Sequence, residues 1–101
     1  MDNAIQTILK DFNAHRRLSN TLTRLSKLIE QQALYAFSGD VDDIRRNYDL
    51  MLDFMRRGYT DERRNDLYDE MIGKTYRLIQ NIQVELKKKD NPSYHDAAYR
   101  L

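Results

Sequence analysis

The chain has 101 residues, a third of them charged, with 17 basic and 16 acidic residues, three glycines, one proline and no cysteine. That length holds one domain with one modest core, and the missing cysteine excludes disulfides, thiolate nucleophiles and cysteine-held metals. The near balance of charge leaves no global basic excess with which to neutralise a phosphate backbone.

No apolar run reaches membrane-spanning length, and the N-terminus MDNAIQTILKDF carries an acid where a signal peptide carries bases. The expectation is a cytoplasmic protein. Few glycines and one proline leave few breakers, which favours long helices.

The first element is expected over Asn3–Phe37, where apolar residues recur at spacings of three and four. Ile5, Ile8, Leu9 and Phe12 share one face, and Leu18, Leu22, Leu25, Ile29 and Ala36 share another. The second face is rotated by roughly a third of a turn, and the change falls across Asn13–Arg17. With no glycine or proline there, the reading is one long helix presenting two apolar faces to two neighbours.

Gly39 is the expected stop, taking the left-handed conformation past a helix end. Asp40 is expected to cap the second helix, with Asp42 and Asp43 on its positive end. That helix is placed at Val41–Arg57. Its stripe is Val41, Ile44, Tyr48, Met51, Leu52 and Met55, widened by Leu50 and Phe54. So wide an arc suits a helix touching two neighbours, which makes it the central one.

The stretch FMRRGYTDERRNDLYDEM carries two arginine pairs around a turn. Arg56 and Arg57 sit where cations complement a helix dipole, Gly58 ends the helix, Thr60 caps the next, and Asp61 and Glu62 occupy its first turn. The acids interleaved with Arg63 and Arg64 favour helix-end charges over a phosphate clamp. The third helix is expected over Asp61–Lys88, with Leu67, Met71, Thr75, Leu78, Ile82 and Leu86 in its stripe. Asp90-Asn91-Pro92 breaks the chain. Ser93 to Leu101 opens a further short helix, as though a longer protein continued beyond it.

The expected fold is therefore all-α. It is an antiparallel three-helix bundle over residues 1–90, with helices 2 and 3 as a hairpin, followed by a linker and the start of a fourth helix over 91–101. Its core is expected to hold Leu22, Leu25, Ile29, Ile44, Tyr48, Met51, Met55, Leu67, Met71, Leu78 and Ile82.

The sequence carries no catalytic or cofactor motif. His15 and His95, the two histidines, have no histidine or carboxylate three or four residues further on, and Asp40, Asp42 and Asp43 lack the glycine and closing glutamate of a calcium loop. There is no glycine-rich phosphate loop and no nucleophile elbow. No cofactor and no metal are expected.

Three functions remain. The first is a non-catalytic helical module for protein–protein contact or self-assembly, including a homodimer. It would use an apolar stripe of Ile5, Ile8, Leu9 and Phe12 that outruns its neighbours, with Leu50 and Phe54 as a second contact. The second is weak nucleic-acid binding by a basic face of Arg17, Arg24 and Lys27. The third and most remote is a phospho-relay through His15, although Arg16 stands where an acid follows the acceptor histidine in kinases.

Overall fold

The computed structural model describes residues 4–58 and 61–90. Among them the chain is all-helical, with four helices rather than three. Helix α1 spans Ala4–His15, α2 Leu18–Gln31, α3 Ser38–Arg56 and α4 Asp61–Asp90, and a single 3-10 turn, Tyr35–Phe37, leads into α3. No described helix is long and apolar enough to cross a membrane.

The expected continuous first helix is broken in two. Arg16 takes φ 50, and Arg17 is extended. The Arg16 amide still donates to Phe12 O at 2.8 Å, which closes the end of α1 around a left-handed residue. A left-handed arginine costs roughly 1–2 kcal/mol. The reversal brings Ile5, Ile8 and Phe12 into the same core as Leu22, Leu25 and Ile29. Burying such side chains gains roughly 1.5–3 kcal/mol each. Burial outweighs the backbone cost several-fold, and the helix breaks without a breaker residue.

The second correction lies at the end of α2. Gly39 has no positive φ and lies inside α3; Ala33, at φ 55, is the left-handed residue instead. Leu34 N–H donates to Ile29 O at 2.9 Å and Ala33 N–H to Glu30 O at 3.4 Å. This is the double closure of a Schellman turn, and the buried Leu34 supplies its apolar contact. A glycine suits such a position better than alanine. Ala33→Gly should therefore stabilise the fold by roughly 0.5–1 kcal/mol, read as a higher midpoint in urea unfolding. A lower midpoint would contradict the left-handed assignment.

Successive helices run in opposite directions. Asp11 of α1 pairs with Arg24 of α2 at 3.7 Å, and Thr7 and Ile8 share a groove with Leu28 and Gln31. Leu18, at the start of α2, lies near Tyr48 and Met51 of α3. Asp43 of α3 meets Lys74 of α4 at 3.5 Å, while Met55 lies near Arg64 and Asn65. At the far end of α4, Lys89 donates to the Gln32 carbonyl.

Helix α3 packs chiefly against two neighbours, α2 and α4, as its wide arc implied, but it is not the central helix: α2 and α4 each pack against all three of the others. The buried side of α4 is correspondingly broad: Met71, Ile72, Thr75, Leu78, Ile79, Ile82 and Leu86. The hydroxyl of Thr75 turns back to Met71 O at 2.7 Å, so its burial leaves no orphan donor.

Of the expected core, Leu22, Leu25, Ile29, Ile44, Met51, Met71, Leu78 and Ile82 are buried, and Tyr48 and Leu67 pack partly buried against it. Met55 is a correction, since it is 47% exposed. The turn after α3 follows expectation: Gly58 has φ 78, and Arg56 lies in the last turn of α3. Thr60 and residues 91–101 lie outside the described residues.

Candidate docking surface

The α1 stripe does not stand free. Ile5, Ile8 and Phe12 are buried, and Leu9 packs partly buried against the same cluster. Phe12 meets Tyr76 of α4 edge to face, with centroids 4.8 Å apart, an arrangement the ring quadrupoles favour. The Tyr76 hydroxyl donates to Asn13 Oδ1. The partner surface expected to be lacking is supplied by α4, because the turn at Arg16 folds α1 back along it.

What remains exposed is on α3. Leu50 is 44% and Met55 47% exposed, and both lie on one helical arc with Met51 and Phe54. Phe54 is half-buried, and the Arg63 guanidinium lies 5.5 Å from its ring centroid, within cation–π range. Exposed large apolar residues cost solubility and mark contact surfaces when they adjoin one another. Tyr35, expected at a core edge, is exposed on its 3-10 turn, and Val84 is exposed on α4.

The proposed basic face separates. Arg24 and Lys27 border the groove between α1 and α2, and Arg24 is committed to Asp11. Arg17 lies at the opposite end of α2, beside Arg16, over a groove of about 640 Å³ that also involves Tyr48, Met51 and Tyr68. A second opening of about 330 Å³ joins Met51, Met55, Arg64 and Tyr68. The Tyr68 hydroxyl donates to the Arg16 carbonyl at 3.4 Å, linking α4 to the strained turn.

The two arginine pairs of the α3–α4 turn do not form a clamp. Arg57 pairs with Asp53 one helical turn back at 3.3 Å, Arg63 covers Phe54, and Arg64 turns toward the groove. His15 ends α1 and is exposed. Among the described residues no group of His, Asp and Glu side chains could hold a metal ion.

Of the expected second contact, Leu50 is exposed and Phe54 half-buried on α3. Met55, Arg16 and Tyr68 were not among the residues expected at a surface, and they come together only because the chain reverses at Arg16. The signal was the rotation between the two apolar faces, which can be satisfied by a bend as well as by two neighbours. Compared with known proteins, the chain matches no family description, no curated protein and no solved structure.

Proposed function

We propose that this protein is a non-catalytic helical module that works by protein–protein contact, docking through the α3 arc rather than through α1. The observation that carries the reading is the exposure of Leu50 and Met55 on α3, with Met55 at the edge of an open groove, while most other large apolar side chains among the described residues are buried. Anchors of this kind gain affinity by leaving water and cost little when unbound if the rest of the bundle holds the helix rigid.

The test is a selection of displayed 12-residue peptides on the immobilised chain, followed by anisotropy titration of the peptides it yields. Peptides should be recovered, and Leu50→Glu with Met55→Glu should weaken them at least about tenfold. Both side chains are exposed, so the unfolding midpoint should move little, by roughly 0.5 kcal/mol or less per site. An empty selection, or peptides indifferent to the double variant, would refute this reading. Light scattering over a concentration series separates the two forms of contact. A dimer dissolved by the same variant would make the arc a self-association surface.

A further inference from the structure

The two openings beside α3 share Met51 and Tyr68 and adjoin one another, as two parts of a groove. Tyr48, Met51, Met55 and Tyr68 make its apolar bed, and Arg16, Arg17 and Arg64 border it; no acid lines either part. The whole chain has 17 bases and 16 acids, so outside the groove 14 bases face all 16 acids. The groove is thus a local island of positive charge on a chain that is otherwise slightly acidic.

Arg16 and Arg17 are exposed, and neither makes an ion pair among the described residues. Arg16 holds φ 50, where glycine or asparagine would be less strained. The turn that costs the fold backbone strain is the one that sets two adjacent guanidinium groups at the groove mouth.

Resting on the docking reading above, we infer that this groove binds an acidic amphipathic segment of another protein. An apolar side chain of that segment settles on the methionine–tyrosine bed, and carboxylates flanking it meet Arg16 and Arg17. Methionine thioethers are polarisable and adapt to varied apolar side chains. Arginine forks match carboxylates two-point to two-point. A nucleic-acid strand fits less well. Bases stack on open aromatic faces, but here half the bed is methionine and the Tyr68 hydroxyl is engaged by Arg16. A second copy docked groove to groove across a two-fold axis would set arginine against arginine.

The selected peptides decide the matter. They should be enriched in Asp and Glu around a Leu, Ile, Phe or Met anchor. Arg16→Gly combined with Arg17→Gln should weaken them about tenfold, with a shallower salt dependence. The single variant Arg16→Gly gives the sharpest reading. It relieves the left-handed strain, so it should raise the unfolding midpoint while lowering peptide affinity, a pairing that a purely structural arginine would not give. Peptides without acidic excess, or fully retained by the double arginine variant, overturn the acidic partner. If such peptides are still lost with Leu50→Glu and Met55→Glu, the docking reading stands. If no peptide is recovered, both fail. An oligouridylate that binds tighter than the peptides and displaces them would make the ligand a polyphosphate and overturn the inference.

Discussion

Phe12→Ala should destabilise the fold by about 3–5 kcal/mol, read as the loss of most of the urea midpoint or as a chain unfolded at room temperature. Phe12 is fully buried, with 0% of its surface exposed, and its ring is set edge-on to Tyr76. Truncation opens a cavity between α1 and α4 and forfeits the aromatic pair. The stability of a domain this size is about 5–15 kcal/mol in all, so the change removes a large share. Replacing both Ile8 and Phe12 by glutamate should unfold the chain outright, since unpaired charge would enter the core. A loss under about 1 kcal/mol for Phe12→Ala would mean that α1 is not docked on α4, and the stripe would return as a free interaction surface.

Ile79→Ala should cost about 2–5 kcal/mol, toward the upper end. Ile79 is completely buried in α4, which, like α2, packs against all three other helices. A cavity at that position cannot be closed by the movement of one neighbour without loosening it from the rest. Val84, on the same helix, is half exposed, and Val84→Ala should change stability by no more than about 0.5 kcal/mol. The contrast within one helix, read from paired urea titrations, tests the packing of α4. Equal effects at the two positions would rule out the burial of the Ile79 face of α4.

The end of α3 and the extent of α4 were legible to within two residues, although α3 starts at Ser38, three residues before the expected Val41. Their boundaries coincide with Gly58 and with charges of the favourable sign at each end, which are local signals. The reversal at Arg16 and the stop at Ala33 were not legible. Neither arginine nor alanine prefers a positive φ, and each is held there by burial of residues distant in the chain: Ile5, Ile8 and Phe12 in one case, Leu34 in the other. The wide apolar arc of α3 was visible, and α3 does pack against two neighbours, α2 and α4, as that arc implied; what was not legible is that Leu50 and Met55 carry the arc on into exposed surface. The groove could not be read at all, since Arg16, Tyr48 and Tyr68 come from three helices or turns that meet only after the chain has reversed.

The strained turn has one more consequence. Apart from Arg16 and Arg17, every residue from Ala4 to Gln31 is helical, and nothing in that dipeptide forbids helix. Were Arg16 to rotate to a right-handed φ, α1 and α2 would fuse into a single rod about 40 Å long. The rod would carry Ile5, Ile8 and Phe12 away from their own α4 and leave that slot open for the same segment of another copy. The exchanged pair would keep every core contact and shed the strain at Arg16, against the entropy of association. A glycine at position 16 would remove that incentive and hold the chain closed. Arginine instead keeps that hinge under a tension of roughly 1–2 kcal/mol, which the burial of Ile5, Ile8 and Phe12 holds in place.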